Sequence, residues 1–429
     1  MNAGLIVALI TFGFIMFLGI PLSFSMILST LIYLLTNGFS LFIVPHKIFT
    51  GIDTFTLMAI PFFMLAGELM VISGAAERIL EFSNVLVGRY RGGLAYVNIL
   101  ASMLFGGCSG SALADVAGLG RLEISMMEKG GYTRSFSTAL TITSSVQGPI
   151  IPPSIIMVLI GAATNTSVGA LLLGGAIPGV LVGLAQSLVV FLNRKKFPRS
   201  PVELPLRKKV IVLLSALPFL AMPVIILGGI ISGVFTPTEA SAIAVLYGFI
   251  LIFVYRKGKV NLSELGGLFK RVGITTATIL MLSGGSNLFG WMLANEKLPQ
   301  TLANFLLSFT GDKYVFLIIM NIFLLLWGMF MDALPAILIL APIFFPIAKQ
   351  MGVDPIHFGV VMGFNLAIGL ITPPYGAAIF TGVVVSGLPM EKLVKEMVPF
   401  ILASIGILIL VTYFPEVVLY IPSLFGLLD

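Results

Sequence analysis

Hard oxygen donors recur in this chain where apolar sequence is interrupted by helix-breaking residues. Ser109, Gly110 and Ser111 close the flexible knot Gly106-Gly107-Cys108-Ser109-Gly110-Ser111, which follows an apolar run ending at Phe105. Ser144, Ser145, Gly148 and Pro149 precede the pair Pro152-Pro153. The second half offers Gly328 and Asp332 between two apolar arms, then Asn365, Gly369, Thr372 and Pro373 at a second pair, Pro373-Pro374. Hydroxyls, a carboxylate and backbone carbonyls freed from a helix make a cage suited to Na⁺, and the C-terminal ends of half-helices add partial negative charge. Half-helix N-termini have the opposite sign and suit a carboxylate. Asp332 is the sharpest candidate, because a carboxylate between apolar arms is costly and marks function by default. A capping role at a hairpin tip also accounts for it, and a capping Asp is still able to ligate an ion.

These residues need unusual elements to position them. Neither arm of the first knot is bounded by charge at the knot itself; the second run leads to charged residues at Arg121, Glu123, Glu128 and Lys129. That pattern predicts a re-entrant hairpin, two short helices entering and leaving the membrane on one side. The following run, Phe136 to Thr164, is broken at Gly148-Pro149 and Pro152-Pro153, since proline lacks the N–H and restricts the residue before it. Open backbone at membrane depth is tolerated only against protein or a watery cavity. A hairpin tip facing a broken helix meets that condition.

The remaining runs read as spans of about 20 residues. Gly4 to Leu35 divides at Gly19-Ile20-Pro21, Phe39 to Thr50 is interfacial, Thr54 to Ser73 spans, and Ala75 to Arg91 is an amphipathic surface connector. Val168 to Leu192 leads into a basic loop, Arg194-Lys195-Lys196, Arg199 and Arg207-Lys208-Lys209. Val210 to Ile231, Pro237 to Tyr255 and Val272 to Leu293 are spans, with Arg256, Lys257, Lys259, Lys270 and Arg271 forming another basic loop. Tyr314 to Lys349 is interrupted between Gly328 and Pro335, His357 to Ser386 is broken at Thr372-Pro373-Pro374, and Met397 to Tyr413 is the last span.

The two halves share one register. Gly107 and Gly328 differ by 221 positions, as do Gly148 and Gly369, Pro152 and Pro373, Pro153 and Pro374, and Pro178 and Pro399. Five full spans before the basic loop make the second half enter inverted. The basic clusters, from Arg89 and Arg91 to Lys392 and Lys395, then all fall on the cytoplasmic side. Both termini are expected on the opposite side of the membrane. The fold class is therefore an all-α polytopic membrane protein of two inverted repeats, each with a re-entrant helical hairpin and a Pro-Pro-broken helix, and inverted repeats around a midplane site imply alternating access. Residues 1–91 and 210–313 supply scaffold spans and connectors, 92–192 and 314–429 the transport units, and 193–209 the basic cytoplasmic loop.

Composition agrees. The chain is 58% hydrophobic and 10% charged, with 46 Gly and 24 Pro, against about 25% charged for a soluble domain. The net charge of +6 follows the loops and is no nucleic-acid signal. One cysteine, Cys108, excludes an internal disulfide framework and multi-thiolate metal sites, and reads as packing. Met1-Asn2 lacks a basic n-region, so the first run reads as a retained span. Asp115, Arg121 and Glu123 on the returning arm are expected in salt bridges near the surface. Glu68 is expected to pair with a neighbouring helix, and His46 and His357 to sit at interfaces.

The stretches GGCSGSALADVAGLG, GPIIPPS, FTPTEASAIAVLY and DALPAILILAPIFFPIAKQMGVDPIHFGV together resemble the large membrane subunit of the tripartite ATP-independent periplasmic (TRAP) transporters, across essentially the whole chain. The resemblance implies an elevator-type, Na⁺-coupled importer of organic acids. It also implies a small four-helix membrane subunit, separate from this chain, and a soluble periplasmic binding protein. The first hairpin is most similar to sialic-acid members, with C4-dicarboxylate members next. Carried over, Ser109 and the Gly148-Pro149 break form one Na⁺ site, and Asp332 with the Gly369 to Pro373 break the other. Gly110 and Gly328 belong with these tips, and Ser111, Ser144, Ser145 and Asn365 are substrate candidates.

Two rivals remain. A self-sufficient Na⁺/dicarboxylate carrier of related architecture would need no binding protein. Gly107-Cys108-Ser109-Gly110 also matches the nucleophile pattern of rhomboid-type intramembrane proteases, but such a serine needs a His at membrane depth. The topology makes its own prediction. In a Cys108→Ala background, cysteine at Asn295 should react with an impermeant thiol reagent added outside intact cells, and cysteine at Arg199 should not. Reversed labelling would reject the inverted arrangement.

Overall fold

The structure is a computed structural model describing residues 3–198, 205–256, 262–309 and 312–428; no strand occurs among them. Met1, Asn2, Arg199, Lys257 and Lys259, named above, lie outside the described residues.

The first apolar run divides at Gly19, where φ is +78°, into α1 (Ala3–Phe17) and α2 (Leu22–Thr36). The short α3 (Ile43–Ile52) has no buried residue. A 3-10 turn, Phe55–Met58, leads into α4 (Ala59–Ser73), and the amphipathic α5 (Ala75–Val87) follows. The first hairpin is α6 (Gly93–Ser109) returning through α7 (Ala112–Gly118) and α8 (Gly120–Lys129). Next come α9 (Arg134–Ser144), an irregular stretch to Ser154, and α10 (Ile155–Thr164), so the helix breaks where the prolines require. The half closes with α11 (Val168–Leu192).

The second half runs α12 (Leu206–Ile231), α13 (Pro237–Arg256), α14 (Leu262–Asn295) and α15 (Leu298–Phe309). Its hairpin is α16 (Lys313–Phe330) and α17 (Ala333–Gln350). The second broken helix is α18 (Pro355–Leu370) and α19 (Ala377–Ser386), followed by α20 (Met390–Tyr413) and α21 (Glu416–Leu424).

The 221-residue offset aligns element boundaries as well as residues. Ser109 and Phe330 end the first arms, Ala112 and Ala333 open the returning arms, Lys129 and Gln350 close them, and Leu192 and Tyr413 end the following spans. Both Pro-Pro peptide bonds are cis. The repeats interlock: α10 packs on α17 of the other repeat, α19 packs on α7, and α20 lies against α9 and α11. Around this core, α4 packs on α13, and α14 on α2 and α3. Only 22% of the α12 span is buried, against 67% of α11, so the apolar face of α12 looks outward. Eight described helices are long and apolar enough to cross a membrane; the hairpins and broken helices supply shorter pieces.

In the second half the structure departs from the sequence expectation at two places. Lys270 and Arg271, read as loop, lie inside α14, because no proline or turn separates them from the span and the helix starts at Leu262. His357, read as interfacial, is 2% exposed, with Nε2 2.9 Å from the Val411 carbonyl oxygen. Asp354 caps α18 by accepting from the Ile356 and His357 N–H groups, so His357 already lies within the first turn of a buried helix.

Close approach explains the paired glycines. A Cβ on Gly369 would lie 2.5 Å from the Gly328 carbonyl carbon and 2.6 Å from its Cα, all backbone atoms that cannot rotate away. In the first repeat, a Cβ on Gly106 would lie 2.6 Å from the Gly148 Cα. Gly369→Ala should therefore destabilise the protein by about 1–3 kcal/mol. Gly406→Ala, with nothing within 4 Å, should be neutral or slightly stabilising. Thermal unfolding in detergent distinguishes them; equal midpoints would refute the close packing of Gly328 on Gly369.

Candidate functional site

The first tip is built from residues that stop a helix and cap the next. Gly110 ends α6 in the left-handed region, φ +64°, and its N–H donates to the Gly106 carbonyl at 2.8 Å. Ser111 then caps α7, its Oγ accepting from the Ala114 N–H at 3.4 Å. Ser109 Oγ makes only long contacts, 3.5 Å to the Ser111 carbonyl and 3.5 Å to its N–H, too long to be strong hydrogen bonds. Its lone pairs are therefore largely uncommitted.

The break opposite this tip is stitched locally. The Ile150 and Ile151 N–H groups donate to the Gln147 carbonyl, and Ser154 Oγ donates to the Pro149 carbonyl while accepting from the Met157 N–H. Gly148 packs on Ser111, and a Cβ on Gly110 would meet the Pro153 carbonyl at 2.7 Å. Ser109, Gly110, Ser111, Gly148 and Pro149 are thus one neighbourhood. Ser145 Oγ donates to the Ile142 carbonyl at 2.8 Å.

At the second tip, Met331 is extended and Asp332 caps α17, with Oδ1 accepting from the Ala333 N–H at 2.6 Å. Gly328 and Gly369 are in contact, and Thr372 Oγ1 donates to the Ile368 carbonyl at 2.7 Å just before Pro373. Asn365 is buried deeper; its Nδ2 donates to Asn321 Oδ1 at 2.7 Å and to the Val361 carbonyl at 2.8 Å.

Both tips open onto one cavity of about 470 Å³. Ser109 and Ser111 come from the first tip and Asp332 and Leu334 from the second; Glu68 of α4 and Arg271 and Thr275 of α14 complete its polar edge. Arg271 Nη2 donates to Glu68 Oε2 at 2.7 Å. Glu68 therefore has the neighbouring-helix partner expected of it. Sequence reasoning missed the partner's identity, having left Arg271 in a loop. The pair is substantially exposed, so its value is its charge on the cavity wall rather than stability. Gly110, Gly148, Pro149, Ser144, Ser145, Gly328, Asn365, Gly369, Thr372 and Pro373 do not line this cavity.

A further departure lies behind the first tip. Asp115 and Glu123, expected in surface salt bridges, are fully buried and belong to neither ion pair among the described residues. The returning arm packs inward against α9 and α19. Glu123 is held by neutral donors, Asn98 Nδ2 and Thr141 Oγ1, each 2.9 Å from Oε2. Ser144 Oγ reaches Asn98 Oδ1 at 3.0 Å and Ser102 Oγ at 2.9 Å, which places Ser144 in this network. Removing the acceptor strands buried donors. Glu123→Ala should lose about 1–3 kcal/mol of stability and Glu123→Gln, which keeps one acceptor oxygen, clearly less. Equal losses in thermal unfolding would show that the network is not organised around that acceptor.

Known proteins give a consistent comparison. Residues 9–417 match the family described as tripartite ATP-independent periplasmic transporter, DctM component. The chain is 41% identical over 416 residues to the sialic acid TRAP transporter large permease protein SiaM of Vibrio cholerae, covering 96% of each. It is 42% identical over 384 residues to the C4-dicarboxylate TRAP transporter large permease protein DctM of Pseudomonas aeruginosa, covering 89% of each. Among solved structures it resembles the YdaH transporter of Alcanivorax borkumensis, with a TM-score of 0.62 over 87% of both chains at 15% identity, a likeness of fold.

Proposed function

This chain belongs to the DctM component family of the tripartite ATP-independent periplasmic transporters, and on that premise we propose that it is the large permease of a Na⁺-coupled importer of an organic acid. It is a transporter subunit, not an enzyme. The observation that carries the reading is the shared cavity, where tips from both repeats, bearing Ser109, Ser111 and Asp332, face Arg271. Uncommitted hydroxyl and carboxylate oxygens beside broken helices favour Na⁺, and a guanidinium on the wall favours a carboxylate. N-acetylneuraminate is proposed first, from the first hairpin and the name of the Vibrio cholerae relative; a C4-dicarboxylate is second, from the name of the Pseudomonas aeruginosa relative.

The proposed partners are a small four-helix membrane subunit and a periplasmic binding protein that delivers substrate. The proposed setting is the bacterial inner membrane, with both termini periplasmic. The proposed motion is an elevator, with the interlocked hairpins and broken helices moving against α1, α2, α4, α12, α13 and α14. Na⁺ occupies Ser109, Gly110, Gly148 and Pro149 in one site, and Gly328, Asp332, Gly369, Thr372 and Pro373 in the other.

Reconstitution tests this. Proteoliposomes holding the chain alone should show background uptake of labelled acid under a Na⁺ gradient. The small subunit plus loaded binding protein should restore it. In the restored system Asp332→Asn should slow uptake on the order of tenfold and flatten its Na⁺ dependence, because charge is lost and volume kept. Robust uptake by the isolated chain would favour the self-sufficient carrier. Wild-type Na⁺ activation in Asp332→Asn would leave Asp332 a cap only.

A further inference from the structure

A separate cavity of about 450 Å³ lies between the end of α5, α6 and α11, away from both tips. Its two ends differ in chemistry. One end carries Tyr90, Arg91, Tyr96 and Arg194; the rest is apolar, with Leu100, Met103, Leu184 and Phe191. Both guanidiniums are held at the mouth. Arg91 Nη2 donates to the Lys195 carbonyl at 2.9 Å, and the Arg194 guanidinium lies 4.2 Å from the Phe191 ring centroid. Neither belongs to an ion pair among the described residues.

From Phe191 to Gly183 the groove follows α11 for about 12 Å of helix rise. One leaflet's hydrocarbon is about 15 Å deep, half the core thickness. A cationic mouth with tyrosines and an apolar trough of one leaflet's depth has the polarity of a single lipid.

We propose that this groove binds an anionic diacyl phospholipid from the leaflet on the basic side, its phosphate between Arg91 and Arg194 and one acyl chain along α6 and α11. The groove lies between the α5 connector and the two helices that carry the first hairpin unit. This assignment does not depend on the identity of the transported acid.

The purified full chain in neutral detergent would be titrated with dioleoyl-phosphatidylglycerol or dioleoyl-phosphatidylcholine and read by native mass spectrometry and thermal midpoint. Phosphatidylglycerol should bind on the order of tenfold more tightly, and Arg91→Gln with Arg194→Gln should abolish that preference. Both arginines are exposed, so the double variant should fold. Ser187→Trp, filling the trough with the arginines intact, should weaken phosphatidylglycerol binding without changing the lipid-free midpoint. Equal affinity for the two lipids, or an unchanged preference in the double variant, would overturn the proposal. So would a photo-crosslinking residue at Leu184 that captures a membrane polypeptide instead of lipid in native membranes.

Discussion

Backbone polar groups released from a helix within the membrane must be covered, and the core of this protein is arranged around that requirement. Two stretches, 145–154 and 371–376, leave the helical ladder inside a chain that is 58% hydrophobic. Each is covered twice. Local hydroxyls and short turns take up part of the backbone, as Ser154 does for Pro149 and Thr372 for Ile368. The hairpin of the same repeat then closes over the break through glycine contacts, Gly106 on Gly148 and Gly328 on Gly369. Small residues are needed there because two backbones approach within the space of one side chain. Ser109 Oγ completes this seal only loosely, through contacts of 3.5 Å.

Charge obeys the same limit. A carboxylate in a dry interior requires donors or a partner. Glu123 takes donors from Asn98 and Thr141, and Asp332 takes the first amide of α17. Glu68 takes a guanidinium, but at the wall of a cavity where the pair stays accessible. Each solution leaves a different capacity. Glu123 is committed to structure, Asp332 has one oxygen besides the Oδ1 that caps, and Arg271 retains donors beyond the one on Glu68.

The architecture was legible because proline and glycine act locally. The Pro-Pro pairs, the knot at 106–111 and the 221-residue register each dictate backbone behaviour without reference to distant residues, and the helix boundaries follow them. The charged residues were not legible, because their roles depend on what packs against them. Arg271 sits at the edge of an apolar run, and only the continuity of α14 and the position of α4 turn it toward Glu68. Asp115 and Glu123 look like surface charges on an arm that returns toward basic sequence, yet α9 and α19 cover them. Asn365 and Ser144 sit beside the breaks in sequence but face Asn321 and Asn98 within the core.

The repeat also relates two cavities that differ in chemistry. A second cavity, about 520 Å³, is lined by Thr50, Gly51, Thr54 and Leu338. These are the 221-offset equivalents of Arg271, Val272, Thr275 and Ala117, which line the cavity shared by the tips. The two cavities are therefore counterparts under the inverted repeat, yet Ser109, Ser111 and Asp332 open onto one and not the other. Backbone symmetry does not extend to chemistry. The equivalent of Arg271 is Thr50 and that of Glu68 is Phe289, so the ion pair has no partner across the pseudo-twofold axis. The helices differ at the same place: α14 runs unbroken where the first repeat is divided into α3 and α4 at Asp53-Thr54. Each cavity therefore carries a basic residue, but not at equivalent positions: Arg271 paired with Glu68 on the wall of one, and Lys47, whose 221-offset equivalent is Leu268, on the wall of the other. The two cavities are related in backbone and differ in how their cation is placed and partnered.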